Sequence, residues 1–134
     1  MIKKIEHVGI AVKDLNKSNS LFKKLLGEPS YKTETVETEA VTTSFFKLGN
    51  QKIELFQAMT SNSSVSKFLN KKGEGMHHLA LHVEDIHKEI QRLEKEGFSF
   101  VSKTPTKGAD NKMIVFLHPK TTNGVLIELC QEIK

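Results

Sequence analysis

His7-Val8-Gly9-Ile10-Ala11-Val12-Lys13-Asp14-Leu15 returns, altered but recognisable, as His78-Leu79-Ala80-Leu81-His82-Val83-Glu84-Asp85-Ile86. The two phrases lie 71 positions apart. In each, a histidine opens an alternating apolar run and an aspartate closes it. Alternation of this length is the pattern of a half-buried strand. Each phrase is answered by an acid between branched apolar neighbours, Ile53-Glu54-Leu55 and Ile127-Glu128-Leu129, 74 positions apart. The chain is therefore two copies of one module, and each copy contributes one histidine and one glutamate.

Strand geometry sorts these residues by face. His7, Gly9 and Ala11 point one way, and Val8, Ile10 and Val12 the other. In the second copy His78, Ala80 and His82 oppose Leu79, Leu81 and Val83. The branched face is expected to pack on helices. The small residues beside each histidine leave room for a ligand on the other face.

Around these phrases the first copy reads as a strand over 3–12, a helix over 14–26 stopped by Gly27, and strands over 31–35, 41–48 and 52–57. Residues 60–64 are polar, and Ser63 or Ser64 caps a short helix through Leu69. The second copy reads as a strand over 76–83, a helix over 85–96 stopped by Gly97, and strands over 98–103, 113–118 and 125–131. The expected fold is α+β: two βαβββ modules forming an eight-stranded curved, incompletely closed sheet with helices outside. Residues 1–134 form one domain, with module one over about 1–58, a linker over about 59–75 and module two over about 76–134.

The 37% apolar and 27% charged residues are those of a globular protein with a real core. A single cysteine, Cys130, excludes an internal disulfide framework and suits a reducing compartment. No apolar run approaches the ~20 residues of a membrane span. The N-terminal residues lack the apolar segment of a signal peptide. These features predict a cytoplasmic protein. The net charge is +4, but the lysines are scattered, with one arginine (Arg92), no tryptophan and one tyrosine (Tyr31). That composition argues against a nucleic-acid face. The positive field suits an anionic small substrate.

A carboxylate buried alone costs several kcal/mol or takes up a proton, and a divalent cation removes that cost. His7, Glu54, His78 and Glu128 together form a nitrogen–oxygen donor set suited to Co, Mn, Ni, Fe or Zn, with two open positions on an octahedral ion. The other histidines read as structural: His77 has the opposite parity to His78, His82 sits further along the strand, His87 lies on a polar helix face and His118 precedes Pro119. Cys130 reads as a small buried hydrophobe.

The phrases His7 to Val12, Gly75-Met76-His77-His78-Leu79-Ala80, Phe116-Leu117-His118-Pro119-Lys120 and Gly124 to Leu129 resemble the vicinal oxygen chelate superfamily (glyoxalase/bleomycin resistance/dioxygenase) and, more closely, the methylmalonyl-CoA epimerases. The resemblance covers essentially the whole chain. It implies metal-dependent epimerisation of (R)- and (S)-methylmalonyl-CoA at C2, through proton abstraction and a metal-stabilised enolate. Its metal positions fall on His7, Glu54, His78 and Glu128, and Glu128 is the first candidate for proton transfer. Some relatives carry a catalytic glutamate where this chain has Thr43. Threonine is no base at neutral pH, and Glu37 and Glu39 are candidate substitutes. Thr43 is expected at the substrate, and Lys107 and Lys112 are candidates for contact with CoA phosphates. The partners expected are an acyl-CoA substrate and a second copy of the chain, with no nucleic acid and no membrane. The alternatives are a glyoxalase I-like metal isomerase and a drug-binding resistance module.

Overall fold

Each repeated phrase builds one strand and the start of one helix in the computed structural model, which describes residues 1–134. The first copy runs β1 (Ile2–Ala11), α1 (Leu15–Leu26), β2 (Lys32–Val36), β3 (Val41–Leu48) and β4 (Gln51–Ala58). A connecting helix α2 (Ser64–Lys72) follows, with the Ser63 side chain accepting from the Ser66 amide. The second copy runs β5 (Gly75–Val83), α3 (Ile86–Lys95), β6 (Thr106–Lys107), β7 (Lys112–Phe116) and β8 (Ile127–Glu132). The hydrogen-bonded strand order is β2-β3-β4-β1-β5-β8-β7-β6. The α+β class, the doubled βαβββ order and the eight strands agree with the sequence.

The duplication extends to the helix starts. Asp14 accepts from the Lys17 amide and Asp85 from the Lys88 amide, with nearly the same backbone angles. The Leu15 amide donates to Gln57 Oε1 at 2.6 Å, and the Ile86 amide donates to Gln131 Oε1 at 2.7 Å. Gln57 and Gln131 are 74 apart, like the two glutamates, and they satisfy a free amide at the start of each helix. At the other end of α1, Gly27 takes the left-handed conformation with φ of 85°, which a residue without Cβ adopts at no cost.

The chain forms two compact units, Val8–His77, and Met1–His7 with His78–Lys134. In the first, Val12, Leu15, Phe46 and Leu55 make a buried core that Ile10, Phe22, Leu26 and Ile53 extend. In the second, Val83 joins Ile86, Ile90 and Leu93 of α3 and Val115, Leu117 and Leu129, with Leu81 against them. Ile10, Val12, Leu81 and Val83 thus face helices, as the alternation predicts. Burying each such side chain is worth about 1.5–3 kcal/mol, so a one-residue slip of either strand would be costly.

One strand differs from its expectation. Residues 98–103 form no strand; Phe100 makes a single antiparallel bridge to Leu117. The His118 amide donates to Ser99 O at 2.8 Å and the Val101 amide to Phe116 O at 2.9 Å, and the ladder goes no further. Phe98 and Phe100 still pack on the α3 core. The sixth strand forms further on, at Thr106–Lys107 against Ile114 and Met113. There Gly108 lets the chain pass close to Ile114, whose side chain a Cβ would meet at 2.8 Å.

Glu89 of α3 is buried, and its carboxylate accepts from Arg92 Nε at 3.2 Å and Nη2 at 2.9 Å. The Arg92 hydrogen bonds hold its pKa below the ordinary carboxylate value. A depressed folded-state pKa stabilises above the ordinary value and is lost as pH falls below it. The Glu89→Gln variant should therefore be about 1–3 kcal/mol less stable near neutral pH. Its denaturant midpoint should converge on wild type as pH falls below about 4.5. A constant gap across that range would remove Glu89 from the acid response.

Candidate metal centre and active site

His7, His78 and Glu128 meet within one compact unit. Their faces follow from register. In the parallel pairing of β5 with β8, Ala80 lies opposite Glu128 and His82 opposite Cys130. Directly opposed residues share a face, and so do residues two apart along a strand. His78 and Glu128 therefore point the same way, with the small, fully buried Ala80 between them. Phe116, opposite Glu128 on β7, closes one side and meets the His78 ring edge-on, with centroids 5.7 Å apart.

The donor atoms converge. His7 Nε2 and His78 Nε2 are 3.0 Å apart. Glu128 Oε1 is 3.4 Å from the first and 3.9 Å from the second. All three residues are at most 9% exposed. Two imidazole nitrogens and a carboxylate oxygen, buried and aimed at one point, are a set that suits a divalent first-row ion. The residues fit a metal.

Two further groups hold these donors. His7 Nδ1 is 2.7 Å from Glu6 Oε1. The Cys130 thiol donates to Glu128 Oε1 at 3.0 Å. Glu6, His7 and Cys130 form a second buried cluster of ligand-type atoms. The sequence offered Cys130 only as a small hydrophobe, and Glu6 was not singled out at all. Its signal was a carboxylate directly beside a repeat histidine, which strand parity assigns to the opposite face.

Glu54 is buried on β4 opposite Phe45, in the other compact unit. Thr43 is buried on β3, between Glu34 of β2 and Phe56 of β4. Glu37 and Glu39 lie in the turn after β2, so strand parity does not carry to them. Burial raises the Glu39 pKa. The acid that shares a face with Thr43 by direct register is Glu34, half-exposed and 3.8 Å from Lys32 Nζ. Lys107 is exposed on β6. Lys112 is buried, its ammonium 3.7 Å from Asp110 and 3.8 Å from Glu132.

His77 does not follow His78. It sits edge-on to Phe56 and Phe68, with centroids 5.2 and 4.8 Å away. Burial, with help from Lys72, lowers its pKa to about 4. His118 Nδ1 accepts from the Lys120 amide and so shapes the turn after β7. His87 is exposed on α3.

A duplicated βαβββ chain with a buried two-histidine, one-carboxylate centre defines a class. The chain belongs to the Glyoxalase/Bleomycin resistance protein/Dioxygenase superfamily, whose sequence profile matches residues 6–116. Several of its relatives there are epimerases. It is 40% identical to the mitochondrial methylmalonyl-CoA epimerase of Dictyostelium discoideum, over 96% of this chain and 78% of that one. It is 38% identical to the ethylmalonyl-CoA/methylmalonyl-CoA epimerase of Cereibacter sphaeroides, over 98% and 99%. It superposes on a Streptomyces coelicolor methylmalonyl-CoA epimerase variant in complex with 2-nitronate-propionyl-CoA, with a TM-score of 0.94, 30% identity and coverage of 98% and 96%. The chain is an enzyme of this epimerase kind. No helix is long and apolar enough to cross a membrane.

Proposed function

We propose that the chain interconverts the (R) and (S) forms of methylmalonyl-CoA at C2, with a divalent ion at His7, His78 and Glu128. The observation that supports this most is the approach of His7 Nε2, His78 Nε2 and Glu128 Oε1 to within 4 Å in a buried site. The repeat nominates Glu54 as the fourth ligand, since it matches Glu128 in the first copy. The ion is Co, Mn, Ni, Fe or Zn, the metals such donors favour. When bound, it supplies Lewis acidity for the thioester and carboxylate oxygens of the substrate.

The chain's own residues supply the rest. The C2 proton lies between two carbonyl groups, so a carboxylate can remove it once the resulting charge is stabilised. Glu128 takes that role. Cys130 keeps its Oε1 in place, and Phe116 and Ala80 shape the apolar wall beside it. Inversion needs a second proton-transfer group on the opposite face, and Thr43 serves as a substrate contact rather than as that group. Lys107, exposed on β6, and Lys112 are our candidates for the CoA phosphates; Lys107 is the stronger one, because Asp110 and Glu132 already pair with Lys112. The edge strands β2 and β6 suit pairing with a second copy. A buried thiol suits a reducing cytoplasmic setting.

The test is exchange. Metal-loaded protein with methylmalonyl-CoA in heavy water should place deuterium on C2, because the returning proton comes from a group that has exchanged with solvent. Ethylmalonyl-CoA serves as the second substrate. No uptake on either, with turnover of methylglyoxal and glutathione instead, would replace the epimerase reading with a glyoxalase I-like isomerase.

A further inference from the structure

We propose that Glu6 is a positioning residue that orients the His7 imidazole, so that Nε2 rather than Nδ1 faces the metal centre. The inference rests on the metal-centre reading above. Glu6 and His7 are each 5% exposed, and Nδ1 lies 2.7 Å from Oε1. That length is at the short, charge-assisted end of N–H···O hydrogen bonds. With Nδ1 donating and the carboxylate accepting, this contact holds the tautomer that leaves Nε2 free for a ligand. The Nε2 edge of the ring is then the one directed at His78 Nε2, 3.0 Å away, and at Glu128 Oε1, 3.4 Å away. A half-turn of the ring about its bond to Cβ would break the Glu6 contact and withdraw Nε2. Ligating histidines that donate their other nitrogen to a carboxylate are held in this way, and the carboxylate also raises the basicity of the ligating nitrogen.

The repeat sharpens the assignment. The second-copy counterpart of Glu6 is His77, which packs edge-on against Phe56 and Phe68. A carboxylate at this place is therefore no general requirement of the module. A buried acid at an ordinary strand position would be costly without a partner. The His7 imidazole is one such partner. Cys130 closes the same cluster, but its thiol is directed to Glu128.

Two variants separate the roles. In Glu6→Gln the amide oxygen can still accept from Nδ1–H; in Glu6→Leu nothing can. Cobalt(II) is titrated into each metal-free protein and followed by calorimetry and visible absorption. Glu6→Leu should bind about 10–100-fold more weakly with displaced cobalt bands, and Glu6→Gln should recover most of the affinity. In the wild-type protein without metal, imidazole nitrogen NMR should show a proton on His7 Nδ1. Cobalt affinity and bands unchanged in a folded Glu6→Leu protein would overturn the proposal. So would an unprotonated Nδ1 in the wild type, a result that needs no variant to fold. A second bound cobalt, present in the wild type and lost in Glu6→Leu, would overturn it by making Glu6 a ligand. Wild type that binds no cobalt at all would instead bring down the metal-centre reading beneath it.

Discussion

Changing Glu128 to glutamine is expected to slow deuterium exchange at C2 of methylmalonyl-CoA by at least about a thousandfold, or about 4 kcal/mol of barrier. The amide cannot carry a proton between substrate and solvent, and it is also a weaker ligand. The two effects are separated by measuring bound metal in the same samples: a variant that keeps its metal and loses exchange identifies Glu128 as the proton carrier. Thr43→Val is the control. Its hydroxyl can orient substrate or water but cannot accept a proton at neutral pH, so the change should cost no more than about tenfold, or 1.4 kcal/mol. A thousandfold loss on changing Thr43 alone would move the second proton-transfer step to that strand. Exchange in Glu128→Gln within tenfold of wild type would take Glu128 out of the chemistry.

His78→Ala should lose the metal and nearly all activity while the fold persists. The His78 ring stacks edge-on with His7 and Phe116 but is absent from the helix-facing cores, so its loss leaves those cores intact. Stability reports the same event independently. An ion bound only by the folded state stabilises it by mass action, about 2.7 kcal/mol at a hundred times its dissociation constant. For a chain of this size that is a Tm shift of about 10 °C. Chelator should therefore lower the wild-type Tm by about that amount at pH 7 and leave His78→Ala unmoved. Equal metal content in wild type and His78→Ala would remove His78 from the ligand set. Wild-type melting curves that coincide with and without chelator would argue against a preformed site.

Much of this was legible in the residues because the relevant physics is local. A strand alternates every two residues whatever it packs on, so the branched and small faces of residues 7–12 and 78–83 could be read directly. The helical spacing after Asp14 and Asp85 is equally local, and the structure makes both aspartates N-caps rather than helix residues. Duplication then repeats these local signals, and four polar residues in matching places point to shared chemistry. The strand expected over 98–103 misread the same kind of signal. Its alternating phenylalanines do pack inward, but a strand also needs a partner, and Met113 and Ile114 of β7 pair with Thr106–Lys107 instead.

The doubled βαβββ order, the two helices, the helix-facing residues and the nomination of His7, Glu54, His78 and Glu128 could be read along the chain, because each depends on periodicity or on recurrence. Which atoms meet was settled by folding. It brought His7 Nε2 to His78 Nε2, aimed the Cys130 thiol at Glu128, and put Glu6 on His7 Nδ1 although the two are neighbours along one strand. It also set Glu34 opposite Thr43 and gave the Lys112 ammonium two carboxylates. The meeting of His7 with His78 turns on register between strands far apart in the chain, and the local contacts turn on side-chain torsions chosen by packing. Even where the partners are neighbours in the chain, as Glu6 and His7 or Glu128 and Cys130 are, periodicity does not say which side-chain atoms meet.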